Sequence, residues 1–141
     1  MIRPYVSQDA ERIIHIWRKA SEYGHPFLSD DFHDMAATLI RDVYLPKAET
    51  HVTEINGTAV GFISLLDSHI GGLFLDPQFH GQGLGRALVE HAVKRKGALT
   101  VEVFKENARA RRFYAACGFE PTGEYYHDMA QQISIKMAMK S

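Results

Sequence analysis

Gly81-Gln82-Gly83-Leu84-Gly85 is the densest run of glycine in the chain, and it lies between the end of a strand pattern and the start of a helical one. Glycines at such a junction let backbone N–H groups converge on a ligand, and the helix N-terminus adds a positive dipole end. The chemistry this suits is the binding of a phosphate or pyrophosphate. A P-loop would need Gly-x-x-x-x-Gly-Lys-Ser/Thr, whereas Arg86-Ala87 follows Gly85. A dinucleotide fingerprint counted from Gly83 would need its third glycine at the place of Leu88. Glu102 falls ~20 residues further on, where a ribose-binding acid would stand, but the strand before the loop ends a meander instead of opening a βαβ unit. A plain glycine-rich strand-to-helix turn has the same spacing.

Other reactive side chains are sparser. Glu102 belongs to a strand pattern in which Leu99, Val101 and Val103 take the other face, so its carboxylate points away from the most apolar side, toward a cleft or toward water. Arg109, Arg111 and Arg112 make a local positive patch on one helix. Of eight histidines, none forms a His-Glu-x-x-His signature, so no metal site is expected. The one cysteine, Cys117, excludes an internal disulfide and a multi-cysteine zinc site, and it reads as a small residue packed near a helix end.

The elements that must hold these residues follow from periodicity. Ile2 to Val6 reads as a short strand, and Ser7 offers a cap for a helix carrying Ala10, Ile13, Ile14, Trp17 and Ala20. Gly24-His25-Pro26 breaks it. A second helix has the cleanest period, Phe32, Met35, Ala36, Leu39, Ile40, Val43 and Tyr44, and is expected to stop before Pro46. His51 to Ile55 and Thr58 to Leu66 flank Asn56-Gly57, a strong hairpin signal. His69 to Leu75 adds a third strand, closed by Asp76-Pro77. After the glycine loop comes a helix with Leu84, Ala87, Leu88, His91 and Ala92 on one face, stopped by Gly97. Leu99 to Phe104 is a strand, Asn107 to Cys117 a helix closed by Gly118, and Gln131 to Met139 a last strand with one buried face. The order is β-α-α-β-β-β-α-β-α-β-β, an α/β or α+β sheet with helices against it.

Two of these stretches, LFLDPQFHGQGLGRALVEHA and VEVFKENARARRFYAACGF, resemble the GCN5-related N-acetyltransferase (GNAT) family across both of its cofactor motifs. The family loop reads Gln/Arg-x-x-Gly-x-Gly/Ala, and here it is His80-Gly81-Gln82-Gly83-Leu84-Gly85, with His80 departing from the usual residue. The resemblance implies a mixed, mostly antiparallel sheet of about six to seven strands with a central splayed parallel pair, flanked by about four helices. It implies acetyl-CoA as donor, held by backbone groups of Leu73, Phe74 and Leu75, with Gly81, Gln82, Gly83, Leu84, Gly85 and Arg86 around the pyrophosphate. Asn107 matches the family Asn that bonds the pantetheine arm, and it equally suits a plain helix N-cap. Tyr114, seven residues after Asn107, matches the tyrosine that protonates the departing thiolate; an aromatic ring filling core beside Phe113 is the alternative. Glu102, five residues before Asn107, matches a glutamate proposed as general base in some ribosomal-protein N-acetyltransferases of the family. The family's first interhelical loop shapes the acceptor pocket, which makes His25 and Phe27 candidate substrate contacts.

At 141 residues, 45% hydrophobic and 23% charged, the chain suits one N-acetyltransferase domain over residues 1–141. Sixteen Lys+Arg against 17 Asp+Glu give net charge −1, no global pull toward nucleic acid or an anionic membrane. AVGFISLL, ending at Asp67, is far short of the ~20 apolar residues of a span, and the charged N-terminus lacks the apolar stretch of a signal peptide. A cytoplasmic enzyme acetylating a primary amine by direct attack in a ternary complex is the expected function; a non-catalytic acyl-CoA sensor is the alternative. The acceptor, small molecule or protein, is not legible, and a homodimer accords with the small members of the family.

Overall fold

In the computed structural model, which describes residues 1–24 and 26–140, the chain runs β1 (Ile2–Pro4), α1 (Ala10–Gly24), α2 (Asp30–Leu39), a π-helical turn (Ile40–Tyr44) and a closing turn α3 (Leu45–Lys47). There follow β2 (Glu49–Ile55), β3 (Thr58–Leu66), β4 (His69–Leu75), α4 (Leu84–Lys96), β5 (Thr100–Phe104), α5 (Ala108–Ala116), β6 (Phe119–His127) and β7 (Gln132–Met139). One seven-stranded sheet has the order β1-β2-β3-β4-β5-β7-β6. Its pairs are antiparallel except β4 with β5. Asn56 (φ 53°) and Gly57 (φ 79°) both take the left-handed conformation that a tight two-residue hairpin needs.

The N-terminal boundaries differ from the expected ones. β1 ends at Pro4, because Asp9, and not Ser7, organises the start of the helix. The Asp9 carboxylate accepts the Val6 N–H at 2.9 Å and an N–H from each of Nη1 and Nη2 of Arg3 at 2.8 Å. The second helix also fails to stop before Pro46. The bond from the Leu45 N–H to the Ile40 carbonyl widens the last turn, and Pro46 then falls early in α3, where its missing N–H costs little. The apolar period of α2 splits between two faces. Ala36, Ala37 and Ile40 pack with Ile13, Ile16 and Trp17, while Met35, Leu39 and Val43 remain 45%, 39% and 43% exposed.

Two cores lie on opposite faces of the sheet. Leu88, Val89 and Ala92 of α4 and Tyr114 of α5 pack on Ile63, Val101, Val103, Ile135 and Met137. On the other face α1 covers Val52, Ala59 and Phe62. Because α1 and α2 cover only the β2–β4 side, the face of β5, β7 and β6 opposite Val101 and Val103 is left open.

On the α4 side, Glu49 bonds His51 at 2.8 Å, Arg95 at 2.7 Å and Lys96 at 3.0 Å. His51 and these two cations hold its carboxyl at about 2, against an ordinary 4.5. A folded value below the unfolded one contributes stability that is complete above 4.5 and is lost as pH falls toward 2. Glu49→Gln is therefore expected to flatten the fall of Tm with acidification in that window. Identical slopes for wild type and variant would contradict this assignment.

Candidate functional site

β4 and β5 pair only at His69 with Thr100 and Ile70 with Val101, then part. A phenol fills the vertex. A Cβ on Gly71 would lie 2.6 Å from Cε1 and 2.9 Å from the hydroxyl of Tyr44, so glycine at 71 is what lets the π-helical turn press this ring against β4. The gap beyond is a cavity of about 400 Å³. The Asp76 N–H bonds the Val60 carbonyl at 2.8 Å, so the alternation along β4 turns the N–H and C=O of Leu75 and Leu73 away from β3 and into this gap. Phe74, between them, gives its backbone groups to β3 and only its ring to the cavity wall.

Glycine is structurally required in the loop. Gly81 (φ 81°) and Gly83 (φ 78°) are left-handed, and a Cβ on either would meet nothing within 4 Å. Gly83 is the N-cap of α4 and brings no side chain, so the N–H groups of the first turn face open space at the positive end of the helix. That is the cradle an anionic pyrophosphate fits. Gly85 serves packing, since a Cβ there would lie 3.1 Å from Cζ of Phe113. Leu84 is half-buried and Gln82 exposed. The Arg86 guanidinium turns away to the Ala116 carbonyl at 2.9 Å, leaving only its backbone at the loop. Coenzyme A is expected to raise the Tm of the wild type by binding the native state. Gly83→Val, strained at positive φ, should lose most of that increment; a folded variant with the full wild-type increment would separate the loop from the pyrophosphate.

His80 lines the cavity with Leu75. Its ring meets Tyr23 edge-on at 5.3 Å, and the Arg109 guanidinium lies 5.3 Å over the same tyrosine. Burial, and then the Arg109 charge, push the His80 pKa down. Of the arginine patch only Arg109 reaches the cavity; Arg111 bonds the Lys105 carbonyl at 3.0 Å and Arg112 is exposed.

Asn107 is the N-cap of α5. Its Oδ1 caps α5 by accepting the Ala110 N–H at 3.1 Å, and it lines the cavity where α5 approaches the end of α1. Tyr114 is core on one side and wall on the other. Its ring is wedged between Phe113 and Phe119 at 5.1 and 5.2 Å, and only 5% of it is exposed, yet it borders the cavity. Burial raises its pKa well above the ordinary value, so the phenol keeps its proton at neutral pH. Cys117, its thiol also pushed up by burial, lies outside the cavity.

Glu102 is on the open face, as the alternation of its strand predicts, and lines the cavity. Register brings companions that the linear sequence does not single out. Glu102 stands opposite Lys136, and Ser134 stands between Phe104 and Tyr125, so these side chains share one face. Tyr125, His127 and Tyr44 complete the wall around the carboxylate. The β6 alternation does carry Tyr125 and His127 on one face, but only the pairing with β7 aims them at Glu102. Phe27 is not part of the cavity lining but meets the lining residue Phe104 edge-on at 6.1 Å; His25 lies outside the described residues. Among the described residues no group of three or more metal-ligating side chains converges, and no helix is long and apolar enough to cross a membrane.

Comparison with known proteins agrees with this geometry. The chain is 37% identical over 123 residues to the peptidyl-lysine N-acetyltransferase YjaB of Salmonella typhimurium, covering 86% of this chain and 84% of that one. It is 30% identical over 132 residues to the peptidyl-lysine N-acetyltransferase YiaC of Escherichia coli, covering 93% and 90%. The solution structure of apo YjaB from Escherichia coli superposes with a TM-score of 0.87 at 33% identity, over 98% of this chain and 95% of that one. Residues 10–119 match the model of the acetyltransferase (GNAT) family. With that match, the splayed β4–β5 pair and the glycine cradle at the start of α4, the chain belongs to the GNAT family of N-acetyltransferases.

Proposed function

We propose that the protein transfers the acetyl group of acetyl-CoA directly to the side-chain amine of a protein lysine. The observation that carries this reading is the β4–β5 gap itself, whose cavity is lined both by Gly85, in the first turn of α4 after the open amide cradle, and by the Glu102 carboxylate. The acceptor class is supported by the two relatives named peptidyl-lysine N-acetyltransferases. The one free thiol, Cys117, suits a cytoplasmic setting.

Acetyl-CoA, when bound, supplies an activated thioester. Leu73 and Leu75 offer backbone N–H groups that hold the pantetheine and polarise the acetyl carbonyl. Glu102 accepts a proton from the incoming ammonium, because only a neutral amine attacks. A lysine amine of pKa ~10.4 is neutral about once in 2,500 molecules at pH 7, whereas an α-amine near ~7.8 is neutral about one time in seven. A carboxylate in the cleft is thus worth most to a lysine-type acceptor. As the C–N bond forms and the C–S bond breaks, Tyr114 gives its proton to the thiolate; the second nitrogen proton restores the phenol through solvent, and Glu102 releases the first to solvent.

A screen of thiol release from acetyl-CoA against amine classes tests the assignment. Peptides with a free lysine ε-amine and a blocked N-terminus are the expected substrates. Turnover confined to free α-amines, or to small amines, would overturn the lysine assignment.

A further inference from the structure

Glu102, Tyr125 and Tyr44 line the cavity together, with His127 and Ser134 beside them, and the reaction as described uses only the first. We propose that the carboxylate and the two phenols form an ammonium cage, three oxygen acceptors for the three N–H donors of R–NH3⁺, which selects an unmethylated primary amine over its N-methylated forms. This deepens the lysine reading above and rests on it.

The cage is assembled from three separate parts of the fold. β5 supplies Glu102 and β6 supplies Tyr125, on one face through their common partner β7. Tyr44 comes from across the gap, placed by the π-helical turn and admitted by Gly71. Tyr125 stands opposite Ser134 in register, and both line the cavity together with Glu102. Ser134 itself is buried.

The cage also wants a cation. Among the described residues no Lys, Arg or His lies within 4.0 Å of the Glu102 carboxylate. Lys136 stands opposite Glu102 in register, but its Nζ lies 5.5 Å over the Tyr125 ring instead. His127 stacks with the same tyrosine at 6.3 Å. A carboxylate with two phenols beside it, and among the described residues no cation within 4.0 Å, matches a primary ammonium. Each N-methyl group replaces one N–H donor and leaves one of the three oxygens unpaired, which is costly beside a charge.

The test compares lysine with Nε-monomethyl-lysine in one blocked peptide, for wild type, Tyr44→Phe and Tyr125→Phe. Both variants keep the ring and remove only the hydroxyl. Wild type should prefer lysine by about tenfold or more in kcat/KM, the scale of one hydrogen bond to a charged group. Each variant should raise KM for the lysine peptide about tenfold, leave KM for acetyl-CoA unchanged, and shrink the methyl discrimination to within about threefold. Discrimination that is absent in wild type, or intact in both variants, would overturn the cage. Should wild type acetylate no lysine peptide, the lysine reading fails on its own. The cage is then judged by NMR titration of the coenzyme A-bound protein with n-butylammonium, where equal affinity in wild type and both variants overturns it and about tenfold weaker binding in the variants supports it.

Discussion

Tyr114→Phe is expected to lose about 10²–10⁴ of turnover, the usual contribution of a general acid, while folding and coenzyme A binding persist. The substitution removes one oxygen from a ring held by Phe113 and Phe119, so the packing of α5 on β6 is retained. The missing oxygen matters because the leaving group is a thiolate, which departs more readily once protonated. Burial keeps the phenol protonated through the neutral range and places it at the wall of the gap. Single-turnover rates, with donor and acceptor saturating, isolate this step. A Phe variant with the wild-type single-turnover rate would remove Tyr114 from the chemistry and leave it as core.

Glu102→Gln should lower turnover by about 10²-fold or more at neutral pH, with the shape of the cavity kept. The deficit has a direction in pH. As pH rises toward the ~10.4 of a lysine amine, more acceptor arrives already neutral and the proton acceptor matters less. The two pH–rate profiles should therefore converge at high pH. Tyr44 and Tyr125, which line the cavity with the carboxylate, are unchanged in the variant, which makes the convergence specific to the lost proton acceptor. Parallel profiles that differ by less than about threefold would return Glu102 to the role of a strand-face carboxylate.

Much of the fold is written locally. Asn56-Gly57 needs two left-handed residues, and Gly97 and Gly118 end helices for the same reason, so each element boundary they set is readable from a few neighbouring residues. The glycine cradle and the Asn107 cap are local in the same sense. The departures come from partners distant in sequence or from competition between bonds. Ser7 looks like the helix cap, but Asp9 wins because Arg3 is within reach of it. Pro46 looks like a helix stop, but one widened turn absorbs it and aims Tyr44 at Gly71. Met35, Leu39 and Val43 share the period of Ala36 and Ile40 and yet stay exposed, because Ala36, Ala37 and Ile40 are the residues that meet the core formed with α1. Tyr125 and Ser134 gain meaning only through the β5–β7–β6 register, which no single strand encodes. Arg86 follows the loop motif in sequence, but its side chain is claimed by the end of α5.

Direct transfer requires donor and acceptor to occupy the β4–β5 gap together, with Cys117 outside it. Initial rates over a grid of acetyl-CoA and blocked lysine-peptide concentrations test this most directly. Double-reciprocal lines that intersect are the expected result, with no acetylated form of the protein detected by intact mass in the absence of peptide. Parallel lines, together with an acetyl group covalently held on the protein, would contradict a single shared cleft and replace it with an acyl-enzyme.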